Sequence, residues 1–245
     1  MSKSFAWTSS KALRPGRSRN TKTAVSLPPP FRTIVDTNVL RYFLFVDRTS
    51  ILATVLGRPM GVPRLVYDPD EGEPRENAMS EIRRSILVQR ERGDELTRSD
   101  EGRAEARRNA SRLSTIDALL GNGDVVTVDM SREERELFAA LTDHNRAGDF
   151  GLKIAPGHGE AACVAIAVER SVILATNDAD ALTAYERLAP KGAHARIRGA
   201  LRDAAEGGLI SRATTNATHI EMTRLGLWDI ELPFSLGELE DDSGI

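Results

Sequence analysis

Short apolar runs alternate with longer amphipathic stretches along most of this chain, and that alternation is its strongest constraint on a fold. RTIVD (32–36), VPRLVY (62–67), DVVTVDM (124–130) and RSVILAT (170–176) carry the continuous apolar residues of strands buried on both faces. Helical patterns lie near 38–56, 78–92, 101–121, 131–147, 158–169, 178–188, 198–207 and 214–225. Buried strands that alternate with helices are satisfied by a parallel sheet covered on both sides. The expected fold is α/β: a three-layer α/β/α arrangement around a central parallel sheet of four to five strands, with helical insertions and a C-terminal helical segment.

Two segments interrupt the rhythm. PDEGEPREN (69–77) reads as a charged loop, and the charge-dense 90–112 reads as the extension of a solvated helical hairpin. Neither looks like a separate unit, so one domain with insertions, 32–228, is expected. Residues 1–31 read as a flexible basic arm, and 229–245 as an acidic tail. The Arg- and Ser-rich start also admits a transit peptide. No apolar stretch approaches the roughly 18 to 20 residues that span a bilayer, so no membrane partner is expected. The single cysteine, Cys163, can form no internal disulfide. A cytoplasmic setting is the resulting expectation.

The net charge of −3 hides an asymmetry: residues 1–32 hold seven Lys or Arg and no Asp or Glu, so the rest of the chain sums to −10. A nucleic-acid partner would have to be met by the arm or by local patches, because the bulk of the chain repels phosphate.

In an open α/β sheet, ligands bind outside the carboxyl ends of the strands, so acids that close a strand or open the next helix converge on one rim. Asp36 closes the first strand in TIVDTNVL, and Asp178 follows the fourth in SVILATNDADA. Each can be read either as a site residue or as a helix N-cap. Glu160, in PGHGEAACVAIAVER, shares a helical face with Val164 and Ala167, so a carboxylate tops an apolar stripe; dipole contact at the helix start is the alternative. Glu81, in AMSEIRRSIL, opens a helix after the second strand and has rivals in Asp68, Asp70, Glu71, Glu73 and Glu76. Several carboxylates on one rim raise one another's pKa unless cations compensate, and an all-oxygen set suits Mg²⁺ or Mn²⁺.

Other chemistries find no support. There is no G-x-S-x-G elbow, no G-x-x-x-x-G-K-[ST] phosphate loop and no G-x-G-x-x-G fingerprint. His144, His158, His194 and His219 show no zinc-site spacing, and Cys163 sits among alanines and valines as a core residue.

V-D-T-N after the first strand, a Glu opening the helix after a V-P-x-x-V strand, G-E-A opening a later helix and T-N-D-x-D after the next strand together resemble the PIN-domain ribonucleases. That family includes many toxins of toxin-antitoxin pairs. The resemblance covers about 32–228, and RIRGALRDAAEGGLIS is similar to the closing helices of some PIN proteins. It implies that Asp36, Glu81, Glu160 and Asp178 are the catalytic, metal-binding acids, with Asn38, Thr176 and Asp180 supporting them. It further implies Mg²⁺- or Mn²⁺-dependent hydrolysis of RNA to a 5′-phosphate and a 3′-hydroxyl. A toxin-like enzyme with a cognate antitoxin and a possible homodimer would follow. The rival expectation is a PIN-like scaffold that binds RNA or protein without cutting.

Overall fold

The computed structural model describes residues 30–64, 66–67, 74–75, 86 and 100–224. In chain order its elements begin with β1 (Thr33–Val35), α1 (Thr37–Phe45), α2 (Thr49–Leu56), β2 (Met60–Pro63), β3 (Val66–Tyr67) and β4 (Pro74–Arg75). They continue with α3 (Asp100–Gly121), β5 (Val125–Val128), α4 (Arg132–Thr142), a 3₁₀ helix (His144–Phe150), α5 (His158–Arg170) and β6 (Ile173–Ala175). The last are α6 (Ala179–Leu188), β7 (His194–Ala195), α7 (Ile197–Glu206) and α8 (Arg212–Arg224).

Five strands form one parallel sheet in the order β5-β2-β1-β6-β7, while β3 and β4 pair as a separate antiparallel ribbon. The chain steps outward from β1 through β2 to β5, then returns to the other side of β1 for β6 and β7. That reversal makes the carboxyl ends of β1 and β6 the switch point, the place where open α/β sheets bind ligands.

The continuous apolar runs have a direct cause. Successive side chains of a strand point to opposite faces, and here both faces are covered. Ile34 packs into one core with residues of α4, α5 and α6, whereas Val35 packs into the other with residues of α1, α2, α3 and α7. Small residues Ala161, Ala162, Ala165 and Ala167, all completely buried, let α5 lie close on the sheet.

Several expected boundaries shift for identifiable reasons. The stretch 38–56 is two helices, because Asp47 takes a left-handed conformation (φ 54°) that ends α1; Asp tolerates this region better than most side chains. The strand expected at 62–67 instead runs from Met60, whose N–H reaches Asp124 O at 2.9 Å, to Pro63, and Val66–Tyr67 leaves the main sheet to pair with β4. Gly61 of β2 was no strand signal, yet the Phe31 ring lies where a Cβ at 61 would sit. The helix expected at 131–147 ends at Thr142, and Asp143 then caps the 3₁₀ helix through Asn145 N at 2.9 Å. Strand β7 has no apolar run to announce it.

The charged stretch 90–112 is not solely a solvated face. Asn109 and Arg112 of α3 are buried, and Arg112 stacks on Phe45 at 4.4 Å while donating to Phe45 O at 3.0 Å. Most of the 69–77 loop, the helix expected at 78–92 apart from buried Ile86, nearly all of the basic arm and the acidic tail lie outside the described residues. Among the described residues, no helix is long and apolar enough to cross a membrane.

Candidate active site

The register Val35↔Ala175 brings the residues after β1 and β6 level at the sheet's carboxyl edge. Asp36 N extends the ladder by donating to Ala175 O at 2.9 Å. Thr176 Oγ1 then donates to Asp36 Oδ2 at 3.1 Å and accepts from Asp178 N, also at 3.1 Å. One hydroxyl thus links both aspartates.

Asp36 is only 1% exposed. Its carboxyl pKa rises from 3.8 to about 7, first through burial, then through the negative charge of Glu160 and, least, that of Asp178. The Thr176 hydroxyl and the Asn38 backbone N–H oppose the rise by favouring the ionised form. Asp36 occupies the N-cap position of α1 without a full side-chain capping bond, and the Asn38 N–H that favours its ionised form is the second donor of that helix. Capping is thus only a partial account of this acid, whose carboxyl is also held by Thr176.

Glu160 lies in the first turn of α5, and α5 runs back to feed β6, which puts its N-terminus on the same rim. The half-buried Glu160 carboxylate rests against Gly157. One turn along, the buried Cys163 thiol is pushed well up by burial and then by the charges of Asp36 and Glu160. It is an inert core residue beneath the acids, as its sequence context indicates.

Asp178 does cap its helix: Oδ1 accepts from Ala181 N at 2.7 Å. For this residue the structural reading holds, alongside its proximity to Asp36. Asp180 is exposed and is not among the groups that perturb Asp36. His158 is exposed, with its ring 5.9 Å from that of Phe138. Glu81 and its rivals Asp68, Asp70, Glu71, Glu73 and Glu76 lie outside the described residues.

Asn177 was not singled out by sequence. Its Oδ1 accepts from Ile197 N at 3.0 Å, satisfying a donor at the start of α7 and tying the T-N-D loop to the C-terminal helices. An Asn between a site Thr and a site Asp was the available signal.

Among the described residues, no group of three or more His, Cys, Asp or Glu is arranged to hold a metal ion. The donor chemistry nevertheless fits a hard divalent cation: the acids are carboxylates, and Asp36 is buried where its neighbours' charges oppose ionisation. Mg²⁺ retains several waters and commonly uses only one or two carboxylates together with substrate phosphates, so direct ligation by three acids is not required.

Thr176→Val keeps the side-chain shape and deletes the hydroxyl. Because that hydroxyl favours ionised Asp36, the variant should titrate above the wild-type value of about 7 when followed by carboxyl ¹³C NMR. An unchanged or lower midpoint would show that Thr176 does not hold the carboxylate.

No protein-family model matches the chain, and no curated protein and no solved structure matches it either.

Proposed function

We propose that this protein is a metal-dependent endoribonuclease of the PIN type. One observation carries the reading: a buried aspartate at the β1/β6 switch point, its carboxyl raised to about 7 by burial and by the charges of Glu160 and Asp178. A merely structural carboxylate gains nothing from such surroundings, whereas perturbed acids in a crevice are characteristic of chemical sites. The order V-D-T-N, G-E-A and T-N-D-x-D, which resembles the PIN ribonucleases, adds weight to RNA as the substrate.

Asp36, Glu160 and Asp178 would hold Mg²⁺ or Mn²⁺, with Glu81 as the further acid the resemblance implies. When bound, the cation supplies positive charge for the phosphate and lowers the pKa of a water. Thr176 keeps Asp36 aimed along the rim, and Asn177 fixes the loop that carries Asp178. The neighbouring acids keep an RNA phosphate away until their charge is neutralised, so substrate binding and catalysis share one requirement. A toxin-like role restrained by a protein antitoxin belongs to the same proposal.

The test incubates full-length protein with single-stranded and structured RNA, with DNA and with a phosphate monoester, in Mn²⁺ or EDTA. Cleavage of RNA in Mn²⁺ alone, leaving 5′-phosphates and lost in Asp36→Asn, is expected. Cleavage that persists in EDTA or in the variant would overturn the site, and a preference for DNA or monoester would replace the substrate. No cleavage of any RNA would favour the non-cutting scaffold.

A further inference from the structure

The geometry points to Gly157 as the positioning residue for Glu160: its bare Cα is the seat on which the Glu160 carboxylate rests, and a side chain at 157 would displace the acid from the rim. A Cβ built at Gly157 collides with Glu160 Oε2 and lies 3.3 Å from Glu160 Cδ; its three nearest neighbours are all atoms of that one carboxylate group. Nothing else demands a glycine here. The backbone (φ −59°, ψ 161°) is an extended conformation open to any residue, and the position is exposed. Gly157 O accepts from Ala161 N at 2.9 Å, an interaction that any residue can provide.

Gly159, two residues along, is the internal control. A Cβ there meets nothing within 4 Å. The two glycines of G-H-G-E therefore differ: one position is filled by the acid and the other opens on empty space.

The seat matters for function because it holds Glu160 within electrostatic reach of Asp36, and this part of the inference rests on the metal-dependent ribonuclease reading. A ligand held in place before the cation arrives loses less freedom on binding, so support for a ligand commonly alters metal affinity by about 10- to 100-fold.

The experiment is a double-mutant cycle on the full chain, with melting temperatures measured in EDTA for wild type, Gly157→Ala, Glu160→Ala and the double variant. Gly157→Ala should shift the melting temperature in the wild-type background by an amount about 2–4 °C different from its shift in the Glu160→Ala background. Capping and chain-entropy effects are common to both backgrounds and cancel, so this difference reports displacement of the Glu160 carboxylate. Gly159→Ala should cost nothing. Equal effects of Gly157→Ala in both backgrounds would overturn the seat.

Mn²⁺ binding, read from the paramagnetic resonance signal of the free ion, gives the functional arm. Gly157→Ala should weaken it about tenfold. Unchanged Mn²⁺ affinity in the variant would overturn the positioning role. If wild type takes up no Mn²⁺ while the thermal coupling stands, the seat survives and the metal-dependent reading falls.

Discussion

Asp36→Asn should make the metal-free protein more stable at pH 8 and less stable at pH 4. Burial and neighbouring charge hold the folded-state pKa of Asp36 at about 7, above its ordinary 3.8. Below pH 3.8 both folded and unfolded chains carry the proton, so the group has no effect. As pH rises through the window to about 7, the unfolded chain releases the proton and the folded chain retains it, so folding is progressively disfavoured. Above that window the penalty is complete, and at 1.36 kcal/mol per pKa unit it amounts to about 4 kcal/mol.

Asparagine escapes this penalty, since it never ionises. Its oxygen can still accept from Thr176, but its buried NH₂ needs an acceptor, at a cost of about 1–3 kcal/mol. The net gain at pH 8 is therefore about 1–3 kcal/mol, or about 2–10 °C in melting temperature. Thermal melts in EDTA at pH 4 and pH 8 check it, and a variant less stable than wild type at both values would refute the account of Asp36. The same substitution should abolish Mn²⁺-dependent RNA cleavage, so stability and activity move in opposite directions at one residue, as expected where a site retains a poorly tolerated charge.

The second large effect lies at the other end of α5. Arg170 Nε and one terminal nitrogen donate to the two oxygens of Glu134, at 2.6 and 2.9 Å, and Arg170 also donates to Asp129 O at 2.7 Å. The Glu134 side chain is 2% exposed and accepts from Ser131 N in the capping box that starts α4. Arg170 additionally sits over the Phe31 ring at 5.7 Å. Arg170→Ala removes the guanidinium and leaves a buried carboxylate without its counter-charge, which costs about 3–5 kcal/mol. Pairing Arg170→Met with Glu134→Leu should recover most of that loss, because exchanging both charges for apolar groups is often neutral. Urea unfolding of the three proteins decides between them. A cost below about 1 kcal/mol for Arg170→Ala would show that the pair does not anchor α5.

The sheet was legible because its strands are buried on both faces: Ile34 and Val35 serve opposite cores, so β1 had to be a continuous apolar run. The rim followed from the same rule, since an acid directly after such a strand has one place to go. The roles of the acids were not legible. Asp36 and Asp178 stand in similar local sequence, each after a strand and before a helix, yet only Asp178 makes a full side-chain capping bond. What separates them is Thr176, 140 residues away from Asp36, and a local pattern contains no trace of that contact. Strand β7 escaped notice because two edge residues need no apolar run. The break at Asp47 escaped because a left-handed aspartate is invisible in hydrophobic periodicity.

The β1–β6 pairing joins segments about 140 residues apart in the chain, and this has a consequence during synthesis. A ribosome releases Asp36 long before it has made Thr176, Asn177 or Asp178. A stalled, truncated or half-translated chain therefore holds one side of the rim without the other, and its aspartate has neither the hydroxyl that aims it nor the strand that buries it. The rim, and any chemistry it supports, is complete only once the chain has been made past Asp178.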